Sequence, residues 1–323
     1  MSRYIVTGCA GLIGSHVTQA LLDQGHAVIG IDNLNSSYDE RLKNWRVNRL
    51  KNNLTFDFHI ADVRDSHRLK DIFTKDIDAV INLAAKAGVR QSLTEPLEYY
   101  ETNVTGTINL LEMCRTFNVK KFILASTSSL YGDGTQQPFQ ETNDTNCPLS
   151  PYAASKKAAE AICYTYHHLY DIDITIPRYF TVYGPAGRPD MAIFKFIKWI
   201  AEGIPITLFG DGEQTRDFTY VSDIAQGTIL SLKRLGYQVI NLGSDKPISV
   251  NNCISLIEDS LQKPSKRNYL PSHPADVRHT WANISKAKDL LGWKPETDIN
   301  TGINESVKWY IENQSWAKRI AVD

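Results

Sequence analysis

Gly8-Cys9-Ala10-Gly11-Leu12-Ile13-Gly14 is the stretch that decides the fold. Ahead of it lies Tyr4-Ile5-Val6-Thr7, a short apolar run of strand type. Within and beyond it, Ile13, Val17, Ala20 and Leu21 recur at helical spacing as far as Gly25, which suits a helix C-terminus. Ala27-Val28-Ile29-Gly30-Ile31-Asp32 follows, a second buried-type strand that ends in an acid. Strand, glycine turn, helix, strand, acid is the order that a dinucleotide site needs. The glycines let backbone N–H groups approach a pyrophosphate at a helix N-terminus, and the acid accepts hydrogen bonds from the adenosine ribose. Asp32 stands eighteen residues past Gly14. No arginine adjoins Asp32-Asn33-Leu34-Asn35, and a carboxylate there repels a 2′-phosphate, so the pattern favours NAD over NADP. The candidate cofactor residues of this segment are Gly8, Gly11, Leu12, Ile13, Gly14, Asp32 and Asn33.

The alternation continues downstream. Strand-like runs fall at 54–59, 79–83, 122–125 and 172–176, with helical patterns between them at 66–74, 96–117 and 151–170. In the 96–117 segment, Tyr100, Val104, Thr107, Leu111 and Cys114 form a single apolar stripe. Strands alternating with helices predict an α/β fold, a Rossmann-type doubly wound parallel sheet covered on both faces. Ligands of such sheets bind beyond the carboxyl ends of the strands. Those ends carry the glycine loop, Asp32, Asp62-Val63, Leu83-Ala84-Ala85-Lys86, Ser126-Thr127-Ser128-Ser129 and the segment from Tyr179 through Val182 to Tyr183.

After about Thr181 the alternation weakens. A turn-rich loop at 183–190 precedes a helix at 193–202, a hairpin-like region at 206–212 and another helix opening at Val221. Val239-Ile240-Asn241-Leu242 reads as a buried strand returning to the sheet. The expected organisation is an NAD-binding domain over 1–180 with a return segment at about 217–245. A smaller, interleaved α/β lobe over 181–216 and 246–323 would hold the substrate.

Two segments carry candidate chemistry, Ser126-Thr127-Ser128-Ser129 and Tyr152-Ala153-Ala154-Ser155-Lys156. Tyr152 and Lys156 are four apart, so on a helix both face one way. An ammonium beside a phenol favours the phenolate, so the Tyr152 pKa is expected to fall from about 10 towards neutral. Such a tyrosine can take a proton from an alcohol and return it. By itself the pair describes an ordinary helix surface; the nucleotide-binding context upstream gives it its chemical reading.

The totals narrow the function class. The chain has 323 residues, 42% apolar and 22% charged, the values of a soluble globular protein. Net charge is −1 and no Lys/Arg block occurs, which argues against a nucleic-acid partner. No apolar run is long enough for a bilayer, and Met1-Ser2-Arg3 leads straight into a strand without a signal-type segment. Five scattered cysteines, Cys9, Cys114, Cys147, Cys163 and Cys253, show no metal-ligand spacing. They predict packing roles, no metal site and a cytoplasmic location.

Gly-x-x-Gly-x-x-Gly with Tyr-x-x-x-Lys, on this strand order, resembles the extended short-chain dehydrogenase/reductase family across essentially the whole chain. The likeness extends to Asn82-Leu83-Ala84-Ala85, Asn103-Val104-Thr105-Gly106-Thr107, Tyr179-Phe180 and Gln214-Thr215-Arg216-Asp217-Phe218. By resemblance Asn103, Ser126, Tyr179 and Val182 join the cofactor residues, with NAD as cofactor. Gln214, Arg216, Asp276 and Arg278, with Phe209, look like the part of nucleotide-sugar epimerases that holds a nucleoside diphosphate. Permanent guanidinium cations suit phosphate oxygens there. Dehydratases and UDP-glucuronate decarboxylases of the family carry acids where this chain has Thr127-Ser128-Ser129. Expelling a hydroxyl needs a proton donor, so a stretch of hydroxyls alone points to epimerisation. Gly187-Arg188-Pro189-Asp190-Met191-Ala192, Ala87-Gly88-Val89-Arg90, and Asn33-Leu34-Asn35 followed by Tyr38-Asp39 and Arg41-Leu42-Lys43 resemble the UDP-glucuronate 4-epimerase subgroup. The resemblance would set Arg188, with Ser128 and Ser129, against a uronic acid carboxylate, and Arg90 and Thr181 beside the substrate. The chain departs from the subgroup at Leu12, where Phe is usual, at Lys86, where Gln is, and at Ala186, where Trp is.

What the resemblance implies is a UDP-sugar 4-epimerase in which Tyr152, Lys156 and Thr127 are catalytic. It also implies a homodimer pairing the helices at 96–117 and 151–170. UDP-glucose or UDP-N-acetylglucosamine as substrate, a net reductase of a nucleotide-linked keto sugar, and a non-catalytic NAD-sensing regulator are the alternatives.

Overall fold

The computed structural model describes residues 1–133, 136–271 and 277–322. Its centre is a parallel sheet of β1 (Arg3–Thr7), β2 (Ala27–Asp32), β3 (Phe56–Ile60), β4 (Ala79–Asn82), β5 (Lys121–Leu124), β6 (Asp173–Tyr179) and β7 (Tyr237–Leu242). In space they run β7-β6-β5-β4-β1-β2-β3. The order reverses between β1 and β4, and there the crevice at the strand ends opens. The glycine loop lies at that point, immediately past β1. Ser126–Thr127 adds a short pairing against the end of β6, Ser126 opposite Arg178 and Thr127 opposite Tyr179.

Both faces of the sheet are covered, which is why β2, β4 and β5 are buried along their whole length. One face buries Val17, Leu21 and Ala225, from the helices Leu12–Asp23 and Val221–Leu230. The other buries Leu69, Leu111, Cys114 and Cys163, from the helices Ser66–Ile72, Gly106–Phe117 and Pro151–Tyr170. A third apolar cluster joins the helices Ala192–Glu202, Val250–Leu261 and Ile299–Glu312 through Phe194, Ile197, Ile254 and Tyr310.

Four local expectations need correction. The 96–117 segment is not one regular helix: Pro96–Tyr100 passes through a π-helical turn, Glu101–Thr105, into Gly106–Phe117. Such a widened turn re-aims side chains and is common beside functional sites; here it carries Asn103. Second, Ile206–Phe209 is no hairpin, because it pairs in parallel with Arg267–Leu270. Third, the helix Glu40–Leu50 was not anticipated. Asp39 caps it by accepting from Arg41 N at 3.0 Å. Its buried face mixes Leu42, Val47 and Leu50 with Lys43 and Arg46, which blurs the apolar stripe. Fourth, Cys147 is exposed, so packing accounts for only the other four cysteines.

Asp217 ties the chain after the sheet together. Its buried carboxylate accepts from Ser244 N at 2.5 Å, Ala282 N at 3.0 Å, Asp245 N at 3.1 Å and Thr219 Oγ1 at 3.2 Å. Asp217→Ala leaves several buried backbone donors without an acceptor. It should destabilise the protein by about 3 kcal/mol or more, read as a lowered denaturant midpoint at unchanged slope.

Candidate active site

Gly8 has a left-handed backbone, φ +68°, and a Cβ there would lie 2.7 Å from Ala84 N. A Cβ on Gly14 would lie 2.0 Å from Gly8 O. The loop is therefore folded so tightly that only glycine fits, and it leads directly into the N-terminus of the Leu12–Asp23 helix. Asp32 fixes its far side, accepting from Ala10 N at 3.1 Å and Leu34 N at 2.9 Å. Asn33 donates to Asp62 at 2.8 Å, and Arg64 grips Asp62 at two points, holding that carboxyl below the usual range against the cost of its burial.

One cavity runs from this loop to Tyr152 and Lys156. Of the anticipated residues it is lined by Gly8, Gly11, Leu12, Ile13, Gly14, Asp32, Asn33, Asp62 and Val63 at one end. Leu83, Ala84, Ala85, Ser126, Thr127, Tyr152, Lys156, Tyr179, Val182 and Arg188 line the other. A close-packed glycine turn, a helix start and an acid at the next strand end fit a dinucleotide, and these residues would hold NAD.

At the reacting end, Ser126 Oγ donates to Glu160 at 2.6 Å. Arg178 binds the same carboxylate through Nε at 3.0 Å and Nη2 at 2.7 Å. All three side chains are buried. The Thr127 hydroxyl favours the ionised form of the Tyr152 phenol; it donates to Ser129 Oγ and accepts from Ser129 N, each at 3.1 Å. Lys156 Nζ donates to Ala125 O at 3.0 Å.

The expected fall of the Tyr152 pKa does not occur in the protein as it stands. Burial raises it, and the Thr127 hydrogen bond and the Arg188 charge only partly offset that. Lys156 is committed to a backbone carbonyl, and its own desolvation lowers its pKa to about 8, with Glu160 pulling the other way. Arg188, distant in sequence, is the cation that Tyr152 feels.

The remaining anticipated residues lie outside this cavity. Lys86 turns its ammonium to Glu95 at 2.9 Å, while its backbone is bracketed by Asn103. Asn103 also donates to Ser155 Oγ at 2.9 Å, so it braces the helix that carries Tyr152 and Lys156. Ser128 opens a 3-10 turn, Ser128–Tyr131, and Thr181 lines a small neighbouring pocket. Arg90 stacks on Phe209 with 4.1 Å between guanidinium carbon and ring centre. Gln214 donates to Phe209 O at 2.8 Å, and Arg216 donates to Arg278 O at 3.1 Å. Arg90, Phe209 and Gln214 are thus linked to one another, and Arg216 to Arg278. Asp276 lies outside the described residues.

Sequence reasoning gave no role to Tyr38, Lys43 and Arg46. Tyr38 and Lys43 line the cavity, and buried Arg46 links Ala10 O of the glycine loop, at 2.8 Å, to Ala186 O of the Arg188 loop. Glu160 is legible in the sequence only as the next turn of the helix after Lys156. The buried Tyr99 ring meets Tyr152 edge-on at 6.1 Å.

The family model described as GDP-mannose 4,6 dehydratase matches residues 5–306. The chain belongs to this family. Within it, the chain is 56% identical over its full length, and over the full length of the relative, to the UDP-glucuronate 4-epimerase of Thermodesulfobacterium geofontis. Its fold superposes with a TM-score of 0.90 on the UDP-glucuronic acid 4-epimerase of Bacillus cereus solved with UDP-glucuronic acid and NAD. That match is 39% identical and covers 96% of this chain and 99% of the other. The Thermotoga maritima UDP-glucose 4-epimerase with UDP-glucose matches at 31% identity and TM-score 0.89, covering 97% and 99%. The chain is an extended short-chain dehydrogenase/reductase of the nucleotide-sugar epimerase type.

Thr127→Val keeps the side-chain shape and removes the hydroxyl that favours the Tyr152 phenolate. Turnover should fall about tenfold to a hundredfold, and the acid limb of the pH–rate profile should move to higher pH. Steady-state rates measured across pH check both.

Proposed function

We propose that the chain is an NAD-dependent UDP-sugar 4-epimerase that interconverts UDP-glucuronate and UDP-galacturonate. The observation that carries this reading is the composition of the reacting end. A tyrosine held by a threonine hydroxyl meets a permanent cation, Arg188, and the adjoining Thr127-Ser128-Ser129 offers hydroxyls in place of an acid. The relatives described above, one of them solved with NAD and UDP-glucuronic acid, support it.

Tyr152 as phenolate removes the proton from the sugar 4-hydroxyl, steadied by Thr127, and later returns it. NAD, held by the Gly8–Gly14 loop and Asp32, would supply reversible hydride acceptance at carbon 4, with no net oxidation. Lys156 holds its charge beside the site, anchored on Ala125 O. Phe209, Gln214, Arg216 and Arg278 would retain the nucleoside diphosphate while the flat 4-keto sugar presents its other face. A uronate at this stage is a β-keto acid, prone to lose carbon dioxide. Arg188 and the serine hydroxyls hold the carboxylate in one orientation and oppose that loss.

The division of labour we propose follows the expected boundaries, residues 1–180 with 217–245 for the cofactor and 181–216 with 246–323 for the substrate. We also place the enzyme in the cytoplasm, in keeping with its free thiols, and as a homodimer. Leu97 and Tyr100 are exposed on the 96–117 segment, and Tyr164 and Leu169 on the Pro151–Tyr170 helix, apolar surface suited to a second copy.

A neutral sugar is the second reading. Asp190 balances the Arg188 charge, and Ala186 leaves space beside it.

Purified protein given UDP-glucuronate, without added cofactor, should form UDP-galacturonate by NMR; no conversion of that substrate overturns the assignment. Tyr152→Phe should lower turnover by roughly a hundredfold or more. Arg188→Ala should damage conversion of the uronate and spare that of UDP-glucose; equal loss with both favours the neutral-sugar reading. Leu97→Glu should shift the solution mass from dimer to monomer by light scattering, and a monomeric wild type would refute the dimer.

A further inference from the structure

Asp190 does not line the cavity, yet it holds Arg188, which does and whose charge acts on Tyr152. Arg188 Nε donates to Asp190 Oδ1 at 3.0 Å and Nη2 to Oδ2 at 2.5 Å, a two-point ion pair. The same Nη2 reaches Ala87 O at 3.2 Å. One whole edge of the guanidinium is thereby used. The Nη1 group has no hydrogen-bond partner among the described residues. The side chains of the pair are each about a quarter exposed, 24% and 23%, so the pair is neither solvated nor sealed. Tyr38, whose ring centre lies 6.0 Å from the guanidinium carbon, packs on its other side.

We infer that Asp190 is a specificity-determining positioning residue: it fixes Arg188 by one edge, offers the other edge to the substrate, and sets by its counter-charge how strongly the pocket prefers an acidic sugar to a neutral one. This rests on the uronate reading and deepens it. With Asp190 in place, an incoming carboxylate meets a nearly neutral pair and can be gripped on one edge only. Without the counter-charge, Arg188 attracts that carboxylate with its full charge. Such extra grip acts on the bound substrate as much as on the transition state, so it tightens binding without speeding the reaction. A one-edged hold also leaves the sugar able to turn between its two faces.

The test is the ratio of dissociation constants for UDP-glucuronate and UDP-glucose on the NAD-loaded protein, measured by calorimetry. Asp190→Asn retains a carbonyl acceptor for Arg188 Nε and removes the charge. It should shift the ratio about fivefold towards UDP-glucuronate, the scale of a partly exposed ion pair. Asp190→Glu, which restores the charge, should return the ratio towards that of the wild type. An unchanged ratio, a shift towards UDP-glucose, or equal weakening of both ligands in Asp190→Asn overturns the inference. These constants are read whether or not the sugars are converted. A wild type that binds both but epimerises only UDP-glucose would therefore sink the uronate assignment and leave the role of Asp190 to be judged on the ratio.

Discussion

A buried carboxylate, Glu160, holds the reacting end of this molecule in place. It accepts from Ser126, just past the end of β5, and from two nitrogens of Arg178, on β6, while its own backbone belongs to the helix that carries Tyr152 and Lys156. Sheet and helix are thus locked by one charged group, and Thr127 and Tyr152 meet because of it. Arg178 extends the lock to Tyr131, and Tyr131 to Asn241 on β7. Burying these charges is tolerable only because each has its partners; removing one would leave the other stranded.

The electrostatics around Tyr152 follow from the same burial. A phenol taken out of water resists ionisation, so proximity to an ammonium does not by itself make it a base. The opposing influences are a hydroxyl from the next segment and a guanidinium from a loop far along the chain. That guanidinium belongs to the surface expected to meet a substrate carboxylate, so recognition and proton transfer share one charge. Arg46 adds a mechanical link, joining the glycine loop to the loop that bears Arg188.

The parts of this arrangement differ in how far the chain announces them. The glycine turn is legible because its constraint is local: no other residue type fits a Cβ position 2.0 Å from a carbonyl oxygen. The Pro151–Tyr170 helix reads clearly from Ser150, which caps it, and Pro151, which opens it. The Glu40–Leu50 helix does not, because Lys43 and Arg46 occupy buried positions that partners outside the helix make acceptable, Asn35 for Lys43 and Ala10 and Ala186 for Arg46. The π turn around Asn103 is equally silent, since no composition distinguishes it from an ordinary helix.

By itself, then, the amino-acid order determined the strand–helix alternation, the dinucleotide loop, the acid at Asp32 and the Tyr152/Lys156 spacing. Each depends on neighbours within a few turns of chain, where periodicity and steric limits act directly. Only the tertiary structure decided that Lys86 serves Glu95, that Lys156 is spent on Ala125 O, and that Arg188 is paired with Asp190 beside Tyr152. Those outcomes depend on which charges are brought together out of water, and the energy of a charge is set by its surroundings in space.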